Sequence, residues 1–238
     1  TEAGEIWHLM DTRVGLSPVM VNRSQLGRIE LDEYTHLILV DGNYKSFSKD
    51  EEARIKSWVT GGGILVAQKG AAVWAQRFVE EEAEEEGADK EGSDKEDSAE
   101  AELVRKAYAD FEKDHARNVI GGAIVEVELD LTHPLAYGFQ RKQLPLFRNG
   151  THVLSEAGAP YSSVALYSAS PKLSGFIGDK RLDAFAGQGA VLADRVGGGL
   201  VIRIADNPSF RSYWRGAQRL LTNALYLGQI VDKSELSD

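Results

Sequence analysis

Cysteine is absent from all 238 residues. That excludes disulfides, thiolate metal sites and a cysteine nucleophile, and it leaves the redox compartment open. Long apolar runs are absent too. Hydrophobic residues make up 42% of the chain, but no stretch approaches the roughly 18 residues of a membrane span. A basic excess is also missing, with 27 Lys and Arg against 37 Asp and Glu, so no nucleic-acid footprint is expected. The phosphate-cradling patterns G-x-x-x-x-G-K-[ST] and G-x-G-x-x-G do not occur, nor does a G-x-S-x-G serine elbow. No signal-like segment opens the sequence. Thr1-Glu2-Ala3-Gly4 runs straight into an amphipathic stretch, which does not fix the compartment.

What is present is material for a large α/β core and one block of acid. The formal net charge is −10, but 13 acidic residues and two lysines fall between Glu80 and Glu102. The remainder carries 24 acidic and 25 basic residues and is close to neutral. The block holds almost nothing apolar, so burial cannot offset the entropy of ordering it. It reads as a mobile insertion at about 80–102, or as a solvated extension of the preceding helix. Each half of the chain alone has too few strands, so residues 1–238 read as a single domain carrying this insertion.

The organising stretch is Thr60 to Gln76, TGGGILVAQKGAAVWAQ. Gly61 to Gly63 end a helix, and Ile64 to Ala67 have the apolar continuity of a central parallel strand. Gln68-Lys69-Gly70 then turn sharply into a second helix. Strand, tight turn and helix present one residue at the carboxyl end of a sheet, where such folds bind ligands. Upstream, apolar spacing predicts a helix over Glu2 to Arg13 and strands at Pro18–Val21 and Thr35–Val40. An α/β domain usually opens with a strand, and none precedes the first helix. Either the chain begins after its first strand or the sheet is completed in another way. Ser48 and Glu51 form a capping box for a helix from Lys49 to Val59. Downstream, short strands are expected at 124–129, 144–147, 153–155, 164–168 and 174–177. A hairpin is expected from 190–195 and 200–204 around the glycines at 197–199, and a last helix over Phe210 to Leu227.

Three blocks carry a resemblance: THLILVDGNY with the following helix and WVTGGGILVA, then DLTHPLAYGF, then GGGLVIRIADNPSFRSYWRGAQRLLTNALYLG. They resemble the class I glutamine amidotransferase-like superfamily, near its trehalose-utilisation-type branch. The closest likeness is to the amidotransferase-like domain found C-terminal to the catalytic domain in bacterial zinc carboxypeptidase-like proteins. The resemblance implies an α/β, flavodoxin-like three-layer sandwich with a mostly parallel sheet and helices on both faces. It also implies an exported bacterial protein whose partner is a carboxypeptidase-like catalytic domain of the same parent. Catalytic members of the superfamily hold a cysteine at the elbow, and here the elbow is Gln68, Lys69 and Gly70. The five histidines, His8, His36, His115, His133 and His152, show no His-x-x-Glu zinc-ligand spacing. The resemblance therefore implies fold without glutaminase or peptidase activity. No catalytic residue, metal or cofactor is expected of this chain.

Six residues are candidates for ligand binding: Asp41, Gln68, Lys69, Gly70, Arg211 and Trp214. Lys69 at a strained elbow could bind an anion or act as an amine nucleophile, or be an exposed turn lysine. Asp41 ends the neighbouring strand and could face the same cleft, or cap its own backbone. Arg211 and Trp214 offer bidentate donors and a stacking face to a carboxylate or sugar. The other reading is an Arg–Asp brace at the helix start, with Trp214 in the core. His133, before Pro134, reads as a local hydrogen-bond partner.

Overall fold

The structure is a computed structural model, and it describes residues 1–86, 107–155 and 160–231. Its strands are β1 (His36–Leu39), β2 (Ile64–Gln68), β3 (Ala123–Leu129), β4 (Gln143–Arg148), β5 (Ser163–Gly175), β6 (Gly189–Val196) and β7 (Gly199–Ile204). The helices are α1 (Glu2–Leu9), α2 (Lys49–Thr60), α3 (Gly70–Glu86), α4 (Phe111–Asn118), α5 (Asp179–Phe185) and α6 (Arg215–Leu227). The seven strands form one sheet in the order β1-β2-β7-β6-β5-β3-β4.

The architecture is α/β, a sheet with a parallel core and helices on both faces, in keeping with a flavodoxin-like sandwich. β2 runs parallel to both β1 and β7. All five residues of β2 and all six of β7 are buried, as strands covered on two faces must be. Each large apolar side chain buried there contributes about 1.5–3 kcal/mol. The ladders from β7 outward are antiparallel. For β6 and β7 the cause is connection length: the tight turn at Gly197-Gly198 can only return the chain antiparallel.

The two faces can be read from strand parity. Gly63 and Gly199 point to one face, where an added Cβ would lie 2.4 Å from the Trp58 ring and 2.0 Å from the Val59 carbonyl oxygen. That face carries α2, and α3 is tied to it because Glu52 accepts from Trp74 and Arg77. Ile64 and Ile202 point to the other face, against Gly228 at the end of α6. The Ser48–Glu51 capping box forms as expected, with Glu51 N–H donating to Ser48 Oγ and Ser48 N–H to Glu51 Oε2.

Several expectations change. Pro18–Val21 is not a strand; Val19 and Met20 are 62% and 55% exposed in irregular chain. Residues 153–155 make only an isolated bridge, Leu154 to Gly189. The two short strands expected at 164–168 and 174–177 are largely one, β5, whose register shifts across the break in pattern. The last helix starts at Arg215, because Arg211 and Ser212 are left-handed, with φ of 47° and 56°. Of the acidic block, residues 80–86 extend α3, where Glu81 pairs with Lys56 at 2.7 Å and Glu82 accepts from the Gly197 N–H. The expectation for 87–102 lies outside the described residues.

Candidate functional site

The carboxyl ends of β1, β2 and β7 gather the polar residues. β2 ends in Gln68, and the chain turns at Lys69 with φ of 52°, a left-handed conformation costly for a side chain with a Cβ. The Lys69 N–H still donates to the Ile204 carbonyl at 2.8 Å, so the elbow is pinned to β7. Gly70 opens α3. A Cβ there would stand 2.8 Å from the Gly42 carbonyl oxygen and 2.9 Å from Asp41 Oδ1, so only glycine lets the turn after β1 press on the elbow.

Lys69 is 5% exposed and its Nζ lies 2.9 Å from Glu2 Oε1 and 2.9 Å from Asp41 Oδ2. Burial alone lowers an ammonium pKa, but the hydrogen bonds and charges of the two carboxylates outweigh it, and the Lys69 pKa is raised. Asp41 does not cap its own turn. Its Oδ1 accepts from the Gly70 N–H at 3.1 Å, placing a carboxylate at the start of α3. Burial raises the Asp41 pKa, yet the bonds from Lys69 and Gly70 prevail and the net shift is downward. Glu2, on the first turn of α1, bridges both partners, accepting from Lys69 Nζ and from the Asp41 N–H. His152 Nε2 lies 3.7 Å from Asp41 Oδ1; burial lowers its pKa, so it is neutral at pH 7. Burial, then the charges of Asp41 and Glu2, push the neighbouring Tyr44 phenol up to about 12. The Lys69 charge is shared between two carboxylates.

A second, fully buried group lies at the same edge. Arg148 Nη1 meets Asp206 Oδ1 at 3.2 Å and the Tyr167 hydroxyl at 2.6 Å. That hydroxyl donates to Asp206 Oδ2 at 2.5 Å. Arg148 also donates to the His152 carbonyl at 2.5 Å, joining the two groups. Burial pushes Asp206 upward, and Arg148 and Tyr167 only partly counter it.

Helix α1 covers this edge. Glu2 meets the elbow, Glu5 accepts from Asn207 Nδ2 at 2.6 Å, and His8 Nδ1 lies 3.1 Å from Ser212 Oγ. Ile6 and Leu9 bury the helix's other side.

Of the six sequence candidates, Asp41, Lys69 and Gly70 come together. Gln68 sits directly beneath them, fully buried, with neither amide atom hydrogen-bonded among the described residues. Arg211 is exposed and lies over the Phe210 ring at 5.2 Å, with no ion pair to Asp206, whose arginine is Arg148. Trp214 is half-buried and donates to the Pro145 carbonyl at 3.0 Å. His133 accepts from the Leu135 N–H at 3.1 Å. Sequence reasoning missed Arg148, which was legible: Leu144, Leu146 and Arg148 share the buried parity of β4, and a charge there requires a partner. Nothing in the sequence flagged Glu2 or His152.

Fold and elbow together define an α/β chain in keeping with a flavodoxin-like sandwich, with lysine at the turn after its central strand. A ThuA-like protein of Parabacteroides merdae shares this fold with a TM-score of 0.51 at 13% identity, over 98% of this chain and 86% of that one. A ThuA-like protein of Bacteroides uniformis gives 0.51 at 15% identity, over 94% and 81%. These neighbours have the fold implied by the resemblance to the trehalose-utilisation-type group. No family model matches the sequence, and no curated protein does.

Proposed function

We propose that the chain is a non-catalytic amidotransferase-like accessory domain of a larger, exported zinc carboxypeptidase-like protein, which it serves by docking, substrate positioning or stabilisation. One observation carries the non-catalytic part. The elbow residue Lys69 is an ammonium held between Glu2 and Asp41 at 2.9 Å each, with a raised pKa. A nucleophilic amine must be unprotonated, and this arrangement favours the proton. The carboxypeptidase context rests on the three sequence blocks. Metal analysis and peptidase and glutaminase assays of the purified chain test the reading. The expected result is neither stoichiometric zinc nor turnover, and turnover abolished in Lys69→Ala would overturn it.

A second reading, a carbohydrate or anionic-ligand site at the elbow, is favoured by the left-handed backbone of Lys69, a residue with a Cβ. Such strain clusters at working sites. A thermal-shift screen of sugars, amino acids, peptides and nucleotides separates the two. A ligand at a hundred times its dissociation constant adds about 2.7 kcal/mol, and a shift lost in Lys69→Ala would favour this reading.

A further inference from the structure

The sequence holds two Asp-Gly or Asn-Gly pairs, Asp41-Gly42 and Asn149-Gly150. Both stand beside Lys69. Asp41 is ion-paired with it, and a Cβ on Gly150 would lie 3.4 Å from Lys69 Cε. Such pairs are prone to cyclise, because glycine puts no side chain in the way when its backbone nitrogen approaches the preceding side-chain carbonyl. Asp41 is held against that reaction. Its carboxylate is ionised and takes bonds from Lys69 and the Gly70 N–H, and an ionised carboxylate resists attack by nitrogen. Asn149 has no such guard. It is half-buried in the irregular chain after β4, and among the described residues neither its side chain nor the Gly150 N–H has a hydrogen bond. The loop is nevertheless fixed at its ends: Arg148 donates to the His152 carbonyl at 2.5 Å, and Leu154 bridges to Gly189. That clamp brings a second side chain to Gly150, since His152 Cδ2 lies 3.4 Å from the same Cβ position. The half-buried imidazole is neutral at pH 7 and free to take a proton, while Lys69 carries its charge.

We infer that Asn149-Gly150 is a self-processing site, which closes to a cyclic imide and reopens as an aspartyl or isoaspartyl residue, with His152 as its base. The Gly150 nitrogen loses its proton to the imidazole and attacks Cγ of Asn149. A new C–N bond forms between them. The bond from Cγ to the side-chain nitrogen breaks, and that nitrogen takes the proton from His152 and leaves as ammonia. The Lys69 ammonium beside the loop favours the negative charge that develops on the way. Water then adds to either carbonyl of the imide and opens it. The balance is one water consumed and one ammonia released, with no other reactant. The product adds a carboxylate to an elbow where Glu2 and Asp41 already share the Lys69 charge. A fresh chain and an aged one therefore differ in charge at the carboxyl edge. The reaction occurs once per chain and needs no substrate, so it stands apart from the accessory-domain reading.

The test is to incubate the purified chain at neutral pH in heavy-oxygen water, both folded and unfolded in guanidinium chloride. A brief acid digestion and mass spectrometry then follow the segment around residue 149. Only product formed during the incubation carries the heavy oxygen, so changes made in handling are set aside. The unfolded chain reports the bare reactivity of an Asn-Gly pair. The folded chain should convert faster, giving both aspartyl and isoaspartyl forms at 149. His152→Gln should slow the folded reaction by about a hundredfold, the low end of general-base catalysis. A folded wild-type chain that converts no faster than the unfolded one would overturn the inference. So would a folded His152→Gln that converts at the wild-type rate. If that variant fails to fold, the wild-type comparison decides alone.

Discussion

The two ends of the strands are built from different materials. At the amino end the glycines of the β6–β7 turn lie against the glycines ending α2. Gly198 N–H donates to the Thr60 carbonyl at 2.8 Å, and Gly199 sits where a Cβ would be 2.0 Å from the Val59 oxygen. The contact is backbone on backbone. At the carboxyl end side chains join the backbone contacts: the ion pairs of Lys69, the buried Arg148–Asp206 pair and the cover of α1. Strain is distributed accordingly. The amino-end turns place positive φ on glycines, Gly62 and Gly197, while the carboxyl end places it on Lys69, Arg211 and Ser212. An end that only has to hold uses the residues for which left-handed backbone is cheap. The other end keeps left-handed backbone on residues with a Cβ, where each costs about 1–3 kcal/mol.

Substitutions at each end sharpen the contrast. Arg148→Met should be the most damaging, at about 3–5 kcal/mol, because it strands Asp206 in a dry site; urea denaturation reads it. Gly199→Ala at the other end should cost about 1–3 kcal/mol, since the backbone of Val59 must move. Equal losses at the two sites would blur the distinction. Lys69→Ala should cost about 1–2 kcal/mol, between the surface and buried limits for an ion pair. Lys69→Gly should recover about 1 kcal/mol of that by relieving the left-handed strain. If Gly is no better than Ala, the strain argument fails.

The smallest effect is in pH. The Asp41 pKa is lowered in the folded chain, so its contribution is present above its ordinary value of 3.8 and is lost as pH falls through the lower folded value. The Lys69 pKa is raised, so its contribution is present below 10.5 and is lost as pH rises through the higher folded value. Between these limits the pair should add no slope. In Lys69→Ala the Asp41 carboxyl should titrate higher, measurable by NMR, and an unmoved titration would mean that Lys69 is not what holds it down.

Much of the carboxyl edge was written in local pattern. The apolar run of β2, the turn at Lys69-Gly70 and the Ser48–Glu51 box are short-range features, and each formed where the residues placed it. Legibility ended where partners are distant. Asp206 looked available to Arg211, five residues on, but it is held by Arg148, which arrives from another strand. β5 was split because its register shift breaks the alternation that marks a strand. The kink at Arg211-Ser212 interrupts a helix whose apolar spacing gave no warning, because the spacing resumes on the same face afterwards.

Strand order also governs when this protein can fold. β2 is complete by Gln68, but one of its two parallel partners is β7, which begins at Gly199. Pairings between residues so far apart close slowly, and during synthesis this one must wait until Gly199–Ile204 has emerged. Until then an aliphatic strand meant for the centre of a sheet has one side unpaired. The acidic block from Glu80 to Glu102 follows it closely, and its mutual repulsion disfavours association of such half-made chains. Shortening that block should therefore lower the yield of soluble protein more than it lowers the stability of what has folded.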